Sequence, residues 1–315
     1  MDKVGQVAAA LLLIMSLSAQ ALDLQGHRGA RGLLPENTVP AFLRAIELGM
    51  TTLELDCGVT RDGVVVVAHD RTLNPDFTRD AQGKWLDGTP PAIRNLTYVE
   101  LVRYDVGRLK PGTEYAKRFP KQQPMDGTRV PALADLFGLV RSRRKAKVRF
   151  NIETKLSPLA PDETVAPDAF VRALLGSIRK AGMESRVSIQ SFYWRTLQIV
   201  QKEAPGIPTV YLTAESTSPH NVPRNATHSP WTAGNQLSAH GGSLPRMVKA
   251  AGGAVWSPYH GDLTRERLTE AHALGLKVVV WTVNAEDDMR RFIEWGVDGI
   301  ISDYPDVLAK AAGSR

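Results

Sequence analysis

Two histidines, His27 and His69, bracket two acids, Glu54 and Asp56, and Arg28 adjoins the first histidine, all within Gly26–Asp70. Imidazole titrates near neutrality, and a guanidinium fork matches paired oxygens of an anion. Close carboxylates must share protons or hold a cation. The stretch therefore carries acid–base, cation-binding and anion-binding chemistry together. Taken singly, a buried histidine reads as a satisfied core residue, and a Glu-x-Asp pair as a solvated strand face. Taken together they do not, because two carboxylates on one strand face need a balancing charge.

The elements around these residues are legible. Thr51–Asp56 is a β-branched and apolar run, so it reads as a strand with Glu54 and Asp56 on one face. Asp62-Gly63 reads as a two-residue type I′ turn closing at Arg61 and Val64, a register that sets Asp56 opposite His69. Asn151-Ile-Glu153-Thr-Lys155 repeats the two-residue spacing, placing Glu153 and Lys155 on a shared face.

Along the chain, β-like runs alternate with helix-like runs; the first helix is expected over 40–48 with Asn37 or Thr38 as candidate caps, and others over 132–140, 168–181, 194–203 and 286–295. Counting the 51–69 hairpin as one unit gives eight βα units, so the expected class is α/β and the architecture a (β/α)8 TIM barrel. An open doubly wound sheet has the same alternation. The polar residues decide between them. His27, Glu54, Asp56, Glu153, Lys155, Gln190, Trp281 and Asp303 all fall at or just past the C-terminal ends of expected strands, which a barrel gathers at one mouth. Residues 70–130 are punctuated by Asn74-Pro75, Pro90-Pro91, Pro111-Gly112 and Asp126-Gly127 and read as an insertion, with a short helix near 97–104. A second polar excursion covers 213–242. Three carboxylates converging at the mouth, with no cysteine available there, suit a hard divalent cation, Ca²⁺ or Mg²⁺. Pairing Glu153 with Lys155 alone leaves Glu54 and Asp56 unbalanced.

Composition narrows the class further. The 315 residues are 43% hydrophobic with a net charge of +6, enough for a large core and a surface suited to an anionic partner. The basic run at 141–147 lacks interleaved aromatics and reads as a solvated helix end, not a nucleic-acid platform. Cys57 is the only cysteine, so no intramolecular disulfide forms. The apolar run LLLIMSL ahead of Ala19-Gln20-Ala21 reads as a signal peptide over 1–21. The expectation is a single exported domain over 22–315, in a bacterial periplasm, with no membrane span after cleavage; an uncleaved anchor is the alternative. Oligomeric state is not encoded legibly.

An ordered set of motifs resembles the glycerophosphodiester phosphodiesterase family. It comprises His27-Arg28-Gly29, Pro35-Glu36-Asn37-Thr38, Glu54-x-Asp56, Thr60-x-Asp62-Gly63 and Val67-x-His69-Asp70. Asn151-Ile-Glu153-Thr-Lys155, Trp281-Thr-Val-Asn284 and Gly299–Pro305 complete it. The resemblance implies the same barrel, a metal held by Glu54, Asp56 and Glu153, and His27 and His69 as the acid–base pair. It also implies a substrate contact at Trp281, which otherwise reads as a packed aromatic. Substrates would be deacylated phospholipids such as glycerophosphocholine, cleaved to sn-glycerol 3-phosphate and an alcohol. In-line displacement at a phosphodiester needs a base and an acid, and Arg28 and Lys155 could add fixed positive charge. A lysophospholipase D or sphingomyelinase D type needs an apolar rim, whereas Trp85, Tyr98, Tyr104, Tyr115 and Phe119 are spread among charges. A non-catalytic binding barrel would lack a histidine or an acid, and all are present. Asp62 is assigned to the turn, Asp70 to the hairpin end, Glu36 and Asn37 to fixing the loop after His27, and the five other histidines to the surface.

Overall fold

The structure, a computed structural model, describes residues 21–142, 147–223 and 228–313. The leader, most of the basic run and Asn225 lie outside these. Strands β1 (Asp23–Gly26), β2 (Thr52–Val59), β3 (Val65–Val67), β4 (Arg149–Thr154), β5 (Val187–Ser191), β6 (Thr209–Thr213), β7 (Val255–Pro258), β8 (Lys277–Val280) and β9 (Gly299–Ser302) form one sheet. All neighbours pair in parallel except β2–β3, and β1 pairs with both β9 and β2, which closes an eight-stranded barrel with β3 outside it. This is the expected (β/α)8 barrel.

The helices are α1 (Val39–Glu47), α2 (Tyr98–Leu101), α3 (Glu114–Arg118), α4 (Leu133–Ser142), α5 (Pro167–Ala181), α6 (Trp194–Glu203), α7 (Leu244–Ala250), α8 (Arg265–Ala273), α9 (Glu286–Trp295) and α10 (Pro305–Ala311). α5 shows how they pack. Pro167 starts it, Phe170, Val171, Leu174, Leu175 and Ile178 recur at helical spacing and are buried, and left-handed Gly182 ends it. Each such side chain stabilises the barrel wall by about 1.5–3 kcal/mol. Among the described residues, no helix is long and apolar enough to cross a membrane.

Two local readings need correction. The hairpin pairs Cys57 with Val67 and Val59 with Val65, so Asp56 faces Ala68, not His69. The loop has three residues, closed by Thr60 N–H donating to Val64 O, with Gly63 at φ +80°. A turn followed by a left-handed glycine adds one residue to a two-residue loop and shifts the register by one. Second, neither Asn37 nor Thr38 caps α1 through its side chain: Thr38 Oγ1 donates to Pro35 O, and the Asn37 amide is turned toward Asp56.

The insertion has its own small core of Val66, Leu73, Ile93, Leu101, Val106 and Val130. A capping box between Thr97 and Glu100 starts α2. α3, unforeseen from sequence, carries Tyr115, whose ring meets Phe77 and Phe119 and whose hydroxyl donates to Glu36. That contact ties the insertion to the loop after β1.

Candidate active site

Parallel register brings the acids together. Asp56 on β2 pairs with Glu153 on β4, which pairs in turn with Gln190 on β5, and Glu54 lies two residues back on the same face of β2. Carboxylate oxygens of Glu54, Asp56 and Glu153 lie within 4.8 Å of one another, all buried. The loop after β1 supplies His27 and Arg28. Gly29, at φ +84°, lets that loop run against α1, where an added Cβ would stand 2.7 Å from the Ala41 carbonyl carbon. Arg28 is itself left-handed at φ 50°, an uncommon conformation that aims its N–H at Glu54 Oε2, 2.9 Å away.

Each acid is held differently. Glu54 accepts from Arg28 N–H and, at 2.7 Å, from Gln190 Nε2. Burial and the neighbouring Asp56 charge nevertheless push its carboxyl well above the usual range. Glu153 is lifted to about 7 by burial, against the pull of Lys155 Nζ at 2.7 Å. Asp56 is equally buried, but Arg28, His69 and Lys155 outweigh that and hold it well below the usual range. Its Oδ2 accepts from Asn37 at 2.9 Å; its Oδ1 is buried without a hydrogen bond, and Lys155 Nζ stands 3.6 Å away.

These residues fit a divalent cation. They offer oxygen donors only, one carboxylate oxygen lacks a hydrogen bond, and burial raises two of the three carboxyls, a cost that a cation among them would relieve. The Cys57 side chain is packed in the apolar core, so no thiolate competes. Both readings of Glu153 therefore hold at once: it pairs with Lys155 and belongs to the acidic cluster.

The two histidines are built alike. His27 Nδ1 lies 2.7 Å from Asp303 Oδ1, and His69 Nδ1 lies 2.7 Å from Asp70 Oδ1. A carboxylate can only accept, so each Nδ1 carries the hydrogen and each Nε2 is left without one, that of His27 facing Glu54 Oε2 at 3.8 Å. Asp303 is held by Arg31 through Nε (2.7 Å) and Nη2 (3.0 Å) and by Asn284 Nδ2 (2.7 Å). Asp70 is held by Asn74 Nδ2 at 2.7 Å. Burial, reinforced by Arg31, lowers His27 to about 4. Burial, then Arg28 and Lys155, lowers His69.

A cavity of about 420 Å³ opens at this end of the barrel and is lined by His27, Arg28, His69, Lys155, Glu54 and Glu153. Trp281 lines it too, with Phe192 edge-on at 5.3 Å and its indole N–H donating to Ser257 O. All eight expected site residues except Asp56 line this cavity, and Asp56 lies directly behind it. Arg28 is more committed than expected: it pairs with Glu36 at 2.6 Å and Asp56 at 3.3 Å. Glu36 serves that pair, and Asp70 proves to orient His69. His260 is not a plain surface residue but sits half-buried against the rings of Tyr259 and Phe292.

From sequence, Arg31 and Trp231 give no sign of a role, Asn284 stands only as a letter of its motif, and Phe192 only as the residue after Gln190-Ser191. Arg31 follows His27 by four residues, but its partner is 272 residues away, and only barrel closure between β1 and β9 joins them. Trp231 comes from the second polar excursion and gave no signal beyond its size.

Comparison with known proteins agrees with this geometry. A sequence model of the glycerophosphoryl diester phosphodiesterase family matches residues 27–307. The chain is 30% identical to a glycerophosphodiester phosphodiesterase of Caldanaerobacter subterraneus subsp. tengcongensis over 90% of this chain and 94% of that protein. It is 29% identical to one of Bacillus subtilis over 93% and 87%. Among solved structures, a Silicibacter pomeroyi protein provisionally named a glycerophosphoryl diester phosphodiesterase superposes with a TM-score of 0.82 at 37% identity, covering 93% of each chain. The phosphodiesterase of Oleispira antarctica shares the fold at 19% identity, with a TM-score of 0.67 over 93% of this chain and 98% of its own. The chain belongs to the glycerophosphoryl diester phosphodiesterase family and is a phosphoric diester hydrolase.

Proposed function

We propose that the protein hydrolyses glycerophosphodiesters to sn-glycerol 3-phosphate and a free alcohol, with His27 and His69 as the acid–base pair. The observation that carries this reading is the matched pair of histidine–carboxylate contacts on one cavity. Each leaves an Nε2 able to take or give a proton. As the new P–O bond forms, one imidazole takes the nucleophile's proton. The other gives a proton to the alkoxide leaving as the old P–O bond breaks. Both rings are held neutral in the free protein, and a phosphodiester anion beside them supplies the negative charge that favours protonation.

Glu54, Asp56 and Glu153 would hold the divalent cation, Ca²⁺ or Mg²⁺. When bound, such an ion neutralises phosphoryl oxygen charge and orients reacting groups. Lys155 and Arg28 add fixed positive charge at the same wall, and Trp281 with Phe192 gives an apolar face for the carbon skeleton. A water-soluble substrate is favoured over a lipid, because the exposed large apolar residues among those described, Val99, Met125 and Leu159, do not line the cavity. Export to a periplasm rests on the leader-like sequence at 1–21, and fractionation of the expressing cell tests it.

The test is release of glycerol 3-phosphate from glycerophosphocholine, with Mg²⁺, with Ca²⁺ and with a chelator, beside lysophosphatidylcholine as a lipid substrate. Cation-dependent release from the soluble diester supports the reading. Turnover of the lysolipid alone would move the assignment to a lysophospholipase D.

A further inference from the structure

Three buried amides run through the barrel from the acidic cluster to its opposite end. Gln190 Nε2 donates to Glu54 Oε1 at 2.7 Å, and Gln190 Oε1 accepts from Asn151 Nδ2 at 2.8 Å. The same Asn151 nitrogen donates at 3.0 Å to Gln25 Oε1, and Gln25 Nε2 donates at 2.9 Å to Asp23 Oδ2. Asn151 Oδ1 accepts from Ser188 Oγ at 3.0 Å. None of Gln25, Asn151, Gln190 and Glu54 is more than 3% exposed. Gln190 and Glu54 line the upper cavity; Gln25, Asn151 and Asp23 line a second cavity of about 380 Å³ at the other end.

The direction of every bond in this chain is fixed by its ends. With Glu54 ionised, as a ligand to a cation must be, a carboxylate sits at each end and can only accept, so both terminal amides must turn their nitrogens outward. Their oxygens then face inward and need donors. The NH₂ group of Asn151 supplies both, one hydrogen toward each end, and Ser188 occupies its oxygen. Asn151 is thus the point at which the polarity of the chain reverses. Barrel interiors are ordinarily filled with branched apolar side chains, and replacing buried polar groups with apolar ones is often neutral or stabilising. Stability alone does not ask for three amides here.

We propose that Asn151 and Gln190 are positioning residues for the cation: Asn151 orients the Gln190 amide so that its N–H fixes Glu54 as a carboxylate aimed at the acidic cluster. This rests on the reading that Glu54, Asp56 and Glu153 hold a divalent cation. Groups that hydrogen-bond a metal ligand commonly change metal affinity 10–100-fold when removed. An acceptor-only side chain at 151 would draw the Gln190 nitrogen away and present its oxygen to Glu54.

The experiment titrates Mg²⁺ and Ca²⁺ separately by calorimetry into metal-stripped full-length protein, alongside melting curves in chelator. Asn151→Asp and Gln190→Met are each expected to weaken the bound cation about 10–100-fold. The double variant should be no weaker than the worse single by more than about threefold, because both act through one bond. Gln25→Leu cuts only the lower arm and should bind within about threefold of wild type, while melting lower. Unchanged affinity in Gln190→Met and Asn151→Asp would overturn the inference, whatever their melting temperatures. A tenfold loss in Gln25→Leu would overturn the assignment of the reversal to Asn151. If Asn151→Asp does not fold, Gln190→Met against Gln25→Leu still decides. A wild-type protein that binds neither ion would overturn the metal reading itself and this inference with it.

Discussion

Asp303 Oδ1 sits 2.7 Å from His27 Nδ1, and Arg31 grips the same carboxylate through two nitrogens. The contact sets the tautomer of the imidazole, and the arginine keeps the carboxylate from turning away. Burial alone would push Asp303 up, but Arg31 and His27 hold it far below the usual range, so it stays an acceptor throughout the working pH range.

Asp303→Asn keeps the shape but can donate its amide hydrogen to Nδ1, moving the ring hydrogen to Nε2. The expected outcome is a fall in kcat of roughly 10²–10⁴-fold with little change in KM, read from steady-state hydrolysis of glycerophosphocholine. Arg31→Lys, which keeps charge but loses the fork, should fall between this variant and wild type.

The acidic cluster predicts opposite pH responses with and without a cation. Glu153, raised to about 7, keeps its proton in the folded, metal-free state over a range where the unfolded chain has lost it. The folded form binds more protons there, so stability falls as pH rises from about 4.5 to 7, by on the order of 1–3 kcal/mol. Glu54 works in the same direction. Asp56 is depressed, so its contribution is lost only at more acid pH, outside this window. His27 and His69, lowered by burial, act in the opposite direction up to about pH 6.5, so the drop of several degrees in chelator between pH 5 and 7.5 is expected in the His27→Ala, His69→Ala double variant, where only the acids titrate. Added cation should reverse the drop, and its affinity should rise with pH over the same interval.

Gly29→Ala tests the loop that carries His27. The new Cβ would meet backbone atoms of Ala41 and Phe42 at 2.7 and 2.8 Å, in a left-handed conformation that disfavours side chains. The conformation alone costs about 1–2 kcal/mol, and the clash adds to it. A lower urea midpoint and a loss of activity beyond what the stability change explains are expected, because Arg28 N–H and His27 move together.

Arg118 lines the cavity and stacks over Tyr115, its guanidinium 5.1 Å from the ring centroid, with no carboxylate partner among the described residues. Charge reversal, Arg118→Glu, should raise KM for an anionic diester about 3–10-fold at low salt, acting on KM more than on kcat. The effect should shrink in 0.5 M salt as screening removes it.

The sequence made the barrel legible because alternation, glycine and proline punctuation and strand-end polar residues all point to it. α1, α4 and α5 fall within two residues of their expected bounds, and α6 and α9 coincide with theirs. The three acids were readable because strand periodicity fixes which side chains share a face, whereas the two histidines, on loops after β1 and β3, stood out by their chemistry and their place in the resembling motifs. What was not readable depends on closure. Arg31–Asp303 and Gln25–Asn151–Gln190 join residues distant in sequence, whose partners are set by barrel register rather than by any local pattern. The hairpin was misread for a local reason: Asp62-Gly63 suits both a two-residue and a three-residue loop, and only the pairing of Thr60 with Val64 separates them.

The most direct test of the central claim compares wild type with His27→Ala and His69→Ala for glycerol 3-phosphate release, with cation affinity measured on the same preparations. Each variant should lose at least about 10²-fold in kcat while still binding the cation. Either variant turning over within tenfold of wild type, with cation bound, would contradict the assignment of that histidine to acid–base catalysis.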